Sequence, residues 1–436
     1  MLRARSTRIF TRILVASVLA ILATSTARAQ RVDDVDALNR QGAQLYAEGR
    51  FAEATIIAER ALPLAESSLG KEHPDTLISV YNLAELYRVQ SRFGEAEPLF
   101  RRALEAHERV LGKEHPNTLQ NVDMFALLYQ NQGRFGEAEP LHKWALEVRE
   151  RVLNQDHPNT LQSVFNLAVV YAYQGRYDEA EPLFLRALKA NERVLGKEHL
   201  NTLLIVDNLA GLYRLQGRYG EAEALHKRAL EAFERVLGKQ HPNTLRSVSN
   251  LALLYGNQGR YSDAEPLHER ALEAQERVLG KEHPETLASV YNLAELYRVQ
   301  SRFGEAEPLL LRALKANERV LGKEHLNTLL IVDNLAGLYR LQGRYGEAEA
   351  LHKKAVEAFE RVLGKQHPNT LRSVSNLALL YDNQGRYSDA EPLYERALEA
   401  QERVLGKEHP ETLASVNNLA ALWRGRTATQ TRPGGL

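Results

Sequence analysis

The chain has 436 residues, with 56 basic and 56 acidic side chains, 27 Gly, 15 Pro and no Cys. Without Cys it has no disulfides and no thiolate chemistry, and its balance of Ala, Leu, Glu and Arg over Gly and Pro favours helix. Setting aside the five arginines of the first 29 residues leaves 51 basic against 56 acidic groups, a mildly acidic body with no stripe of basic residues; nucleic acid is therefore not an expected partner.

The N-terminus carries Arg3, Arg5, Arg8 and Arg12, an apolar run from Ile13 to Ala23, and Ala27-Arg28-Ala29 before Gln30. A basic start, a short apolar block and a small-x-small site predict a cleaved export signal over 1–29. The mature protein would then begin at Gln30 in the periplasm or outside the cell. Spanning a bilayer needs roughly 20 apolar residues, more than this run supplies, so no membrane association is expected after cleavage.

From there to the C-terminus the chain is an array. His73, His115, His157, His199, His241, His283, His325, His367 and His409 recur every 42 residues. One unit, residues 70–111, has apolar residues at helical spacing through Leu77, Val80, Leu83, Ala84 and Tyr87, then Ala96, Leu99, Ala103 and Leu104. This predicts two amphipathic helices per unit. The first opens at Pro74, where a missing N–H costs nothing, with Asp75 at the positive helix end; Leu200 and Leu326 replace the Pro in two units. Most units place Gly between the helices, as at Gly133 and Gly175, because a chain leaving a helix needs a left-handed residue. Ser91 and Ser301 depart from this and should strain the turn. Pro98 and its counterparts place the start of the second helix near Gly94 or Glu95. Asn154 stands where the other second helices end in Gly.

The pattern Leu83-Ala84, Tyr87, Arg92-Phe93, Ala96 and Ala103 resembles the tetratricopeptide signature. The long unit, with Asn82-Leu83-Ala84, Gly94-Glu95-Ala96-Glu97-Pro98-Leu99 and Leu111-Gly112-Lys113-Glu114-His115-Pro116, is similar to the kinesin light chain type. The resemblance implies a right-handed α-solenoid of tandem helix-turn-helix repeats. Nine units and a final helix would fill 30–424, with a disordered tail over 425–436. The first repeat is degenerate, with Gln41-Gly42 and Leu45 in place of Leu-Ala and Tyr, as suits a cap.

No catalytic or cofactor motif accompanies the array. The histidines lie one repeat apart and cannot converge on a metal. His268-Glu269 and His107-Glu108 lack a second His four residues on, and no Gly-x-Ser-x-Gly elbow or phosphate loop occurs. The expectation is therefore a non-enzyme without metal or cofactor. Glu95, Glu97, Arg101 and Arg102 read as solvated helix faces.

In such a solenoid the first helix of each pair lines the concave side and offers a groove to a protein or extended peptide. Asn recurs there as Asn82, Asn166, Asn208, Asn250, Asn292, Asn334, Asn376 and Asn418. In proteins of similar type such asparagines grip the backbone of a bound peptide; they could equally satisfy neighbouring helix groups. Tetratricopeptide domains that clamp acidic chaperone tails use Lys and Arg on this face, where this chain has Tyr81, Asp123, Phe165, Asp207 and Ser249. These varying positions, with Arg88, Gln130, Ala172 and Arg214, would set selectivity. Leu185 to Lys227 is identical to Leu311 to Lys353, so Asp207 and Arg214 should reappear as Asp333 and Arg340. Two equivalent sites would suit a repetitive or dimeric partner. Two other readings stay open: a sensor arm whose caspase-like effector has been lost, and a carbohydrate-binding solenoid.

Overall fold

The structure, a computed structural model, describes residues 33–430; the expected export signal and the cleavage point before Gln30 lie outside them. The described residues are helical without a strand. In chain order the helices are α1 (33–47), α2 (Phe51–Leu69), α3 (Pro74–Val89), α4 (Phe93–Leu111), α5 (Pro116–Asn131), α6 (Phe135–Leu153), α7 (Pro158–Tyr173), α8 (Tyr177–Val194), α9 (Leu200–Leu215) and α10 (Tyr219–Leu237). They continue as α11 (Pro242–Asn257), α12 (Tyr261–Val278), α13 (Pro284–Val299), α14 (Phe303–Val320), α15 (Leu326–Leu341), α16 (Tyr345–Leu363), α17 (Pro368–Asn383), α18 (Tyr387–Val404) and α19 (Pro410–Gln430).

The recurring histidine is the N-cap of the first helix in each pair from α3 onward. Its Nδ1 accepts from the backbone N–H two residues on, at 3.3 Å for His73 to Asp75 and 3.2 Å for His409 to Glu411. Accepting at Nδ1 places the ring proton on Nε2, and the bond satisfies an N–H the helix cannot use. The second helices begin one residue earlier than expected, at Phe93 and its counterparts, because the carbonyl of the preceding Arg opens the ladder: Ala138 N–H donates to Arg134 O at 3.1 Å. The helix prolines therefore sit in the second turn. Ser91, Asn154 and Ser301 adopt φ of 58°, 78° and 59° where other units use Gly, a conformation that costs side chains other than Gly free energy.

Two compact units are present. The first comprises the described residues to Gln90 with 94–110, the second 91–93 with 111 onward. In the first, Val80, Leu83 and Ala84 of α3 are buried with Ala54 and Ala61 of α2, and Tyr87 donates to Glu59 at 2.9 Å. In the second, each helix packs on the next. The core alternates fully buried Ala, as at Ala180, Ala222 and Ala306, with large residues such as Phe184, Leu209 and Phe233. Small residues let the helix pairs close, and the large ones fill the space between pairs.

An ionic staple ties successive repeats of the second unit. The guanidinium of Arg218 lies 3.8 Å from the ring centre of Tyr213 and donates to Glu181 at 2.7 Å, while Tyr213 donates to the same Glu at 2.9 Å. Arg260 and Arg386 repeat the arrangement. At the last helix Trp423 replaces the Tyr and its Nε1–H donates to Glu391 at 2.9 Å, joined by Arg426 at 2.7 Å. Where a disordered tail was expected over 425–436, α19 continues to Gln430, since Gly425 alone does not stop a helix; residues 431–436 lie outside the described residues.

Within this second unit the coil returns on itself. A Cβ on Gly133 would stand 2.6 Å from Pro368, and one on Gly175 would stand 2.6 Å from His409. His367 Nε2–H points at the Asn131 carbonyl at 3.4 Å. At the third such contact both residue types change: Leu326 has the N–H that Pro lacks, and it donates to Ser91 Oγ at 3.3 Å. The two departures from the repeat pattern thus meet, 235 residues apart.

Candidate functional site

The inner wall of the second unit is carried by first helices, as the solenoid reading expects. Two cavities open on α7, α9 and α11. One of about 600 Å³ is lined by Tyr173, Tyr177, Asn208, Arg214 and His226, and across from them by Glu411 of α19. The other, about 410 Å³, is lined by Phe165, Asn191, Leu204 and Arg246. Asp207, Asn208 and Asn250 border both.

Asp207 is only 4% exposed and faces helix neighbours. Its Oδ1 accepts from His226 Nδ1 at 2.8 Å and from Ser247 at 3.3 Å; its Oδ2 accepts from Asn250 Nδ2 at 2.7 Å. The identical copy repeats this frame: Asp333 takes His352 at 2.7 Å, Ser373 at 2.9 Å and Asn376 at 2.8 Å. Burial pushes the Asp333 carboxyl up, but the donated hydrogen bonds outweigh it and hold the group below its ordinary value. A third acid, Asp123, pairs with His142 at 3.2 Å and Arg149 at 2.5 Å. These aspartates orient histidines and asparagines from inside the wall.

The asparagine ladder divides. Asn250 and Asn376 spend their amides on the buried acids, and Asn334 donates to Tyr291 Oη at 2.5 Å. Asn208 is exposed and donates to its own helix at Leu204 O, 2.8 Å; Asn166 accepts from Gln162 at 2.8 Å. Asn82 lines a cavity of about 320 Å³ in the first unit with Tyr46 and Tyr81; Asn292 and Asn418 are half-buried. Arg214 and Arg340 are half-buried too, and burial holds both guanidinium groups below their ordinary value. Arg340 donates to Asn383 at 3.0 Å.

The buried Asp and His pairs are the feature that sequence reading overlooked. Their signal lies inside the array: where the inner helix has Asp123, Asp207 or Asp333, the residue 19 positions on is His142, His226 or His352. Where it has Tyr81 or Phe165, the partner is Phe100 or Phe184, and these rings meet edge to face at 6.0 and 5.7 Å. Among the described residues no group of three or more His, Asp or Glu converges as a metal site would, and no helix is long and apolar enough to cross a membrane.

Stacked two-helix units define a helical repeat protein. The tetratricopeptide repeat family model matches in eight segments, from residues 33–108 to residues 375–426, and the chain belongs to that family. Solved structures similar to it include a Podosopora anserina putative kinesin light chain with nearly identical repeats. That chain is 30% identical, with 47% of this chain and 98% of the other covered at a TM-score of 0.39. BtubC (BKLC) from P. vanneervenii is 25% identical over 54% of this chain and 92% of its own, TM-score 0.40. A Rap protein complexed with competence and sporulation factor is 14% identical over 85% of this chain and 99% of its own, TM-score 0.55. Among curated proteins none matches.

Proposed function

We propose that the chain is an exported scaffold that binds a protein or an extended peptide along its inner helices and carries out no chemistry of its own. The observation that supports this most is the pair of cavities on α7, α9 and α11, which share Asp207, Asn208 and Asn250 and so offer a recess several residues long. Asn208 and Arg214 face it with donors suited to backbone carbonyls and carboxylates. The similar Rap protein was solved with a bound factor, in keeping with a fold of this kind serving recognition.

The test is selection of a displayed peptide library on the full chain. Selected peptides should lose about tenfold or more in affinity, about 1.4 kcal/mol, on Asn208→Ala with Arg214→Ala. They should be unaffected by Glu231→Ala on the exposed face of α10. Equal losses from both changes would refute an inner-wall site. Export is checked separately, by mass spectrometry of the cellular pool: peptides beginning at Gln30 support it, and abundant peptides containing Arg3 or Arg12 contradict it.

A further inference from the structure

We propose that the larger cavity is a pocket for a small zwitterion, an α-amino acid or a dipeptide, with its ammonium between Glu411 and His226 and its carboxylate at Arg214. The proposal rests on the inner-wall reading for its place and adds the ligand. A volume of about 600 Å³ lies in the range of small-molecule sites. Aromatic and apolar walls from Tyr173, Tyr177, Phe184 and Leu212 suit an apolar side chain.

Two buried acceptors there have no partner. His226 is 1% exposed and gives its Nδ1–H to Asp207, which fixes the ring with a lone pair at Nε2; that atom has no hydrogen-bond partner. Asp207 is itself locked by Asn250 and Ser247, so the imidazole cannot turn to find one. Across the cavity Glu411 Oε2 is buried and likewise without a hydrogen-bond partner. Buried acceptors left unmade cost stability, and a ligand that donates to both recovers it. An ammonium brings three N–H donors and a positive charge, which answers the Glu411 carboxylate and the His226 Nε2 together. Arg214 and Asn208 then supply donors for the ligand's carboxylate.

Glu411 reaches this wall because the coil returns on itself, with His409 seated against Gly175. The copy on α15 has the same bare Nε2 on His352, but Glu411 stands at the α9 copy. One site per chain is therefore expected rather than two.

The experiment is calorimetric titration of the full chain with L-phenylalanine, L-leucine and the dipeptide Leu-Phe. N-acetyl-L-phenylalanine and L-phenylalanine amide serve as blocked analogues. Saturable binding at one site is expected, weakened about tenfold or more by either blocking group and by Glu411→Gln, and changed less than about twofold by Arg340→Ala. The proposal is overturned if none of the three probes saturates at millimolar concentration, if the acetylated analogue binds as well as the amino acid, or if Glu411→Gln leaves affinity unchanged. A chain that captures polypeptides yet ignores these probes keeps the groove and loses the pocket. One that binds the probes and no polypeptide does the reverse.

Discussion

The segments Leu185 to Lys227 and Leu311 to Lys353 have the same residues in the same order, yet the surfaces they build differ. The inner frame is conserved between them: Asp207 and Asp333 each hold a histidine, a serine and an asparagine within 3.3 Å. The exposed layer diverges, because its partners come from the neighbouring unit. Asn334 finds the hydroxyl of Tyr291, whereas Asn208 has Phe165 at the same place and turns to Leu204 O. A repeat thus specifies its core by itself, while its surface depends on the units beside it.

The largest test of that division removes the buried acids. Asp207→Ala strands the donors of His226, Ser247 and Asn250, and Asp333→Ala strands their counterparts. Each should cost about 3 kcal/mol, read as lost hydrogen-exchange protection around α9 to α11 and α15 to α17. A difference above about 1 kcal/mol between the two would show that the frames are not equivalent.

A second test compares a histidine that has an acid with one that has none. His268 occupies the place of His226, but Ser249 stands where Asp207 would, and burial holds His268 at about 4. The unfolded chain takes up a proton near 6.5 that the folded chain refuses. This contribution to stability is therefore complete above 6.5 and is lost as pH falls toward about 4, by at most about 3 kcal/mol. Ser249→Asp should raise the His268 titration by about two units in proton NMR and remove that loss; an unmoved titration would break the comparison.

The smallest effect belongs to the surface asparagines. Tyr291→Phe deprives Asn334 of its acceptor and should cost about 1 kcal/mol or less, making the α15 copy resemble the α9 copy. Phe165→Tyr should do the opposite, slowing exchange of the Asn208 side-chain amide. If neither change alters its asparagine, the neighbouring unit does not set the exposed layer.

Much of this was legible in the residues. The 42-residue period, the Gly turns and the Pro starts gave the helices and their pairing, because each is a local backbone requirement. The histidine array was legible as a regular position beside the helix entry, but its capping role depends on where the ring sits above one helix turn. Asp207 was legible as a variable inner position, and its burial was not: facing inward rather than toward the groove depends on His226 two turns into the next helix. Glu411 was invisible as a wall of that cavity, since it belongs to a unit more than 200 residues away.

The contacts of Ser91 with Leu326, Gly133 with Pro368 and Gly175 with His409 bear on how such a gene can change length. For nearest-neighbour stacking alone, losing one unit by unequal recombination is harmless, because every junction is like every other. Here a deletion between Gly175 and His325 would slide the later units by one place. Ser91 would then face Pro368, which has no N–H to give. The number of units between Gly175 and His325 thereby sets contacts that no single repeat contains.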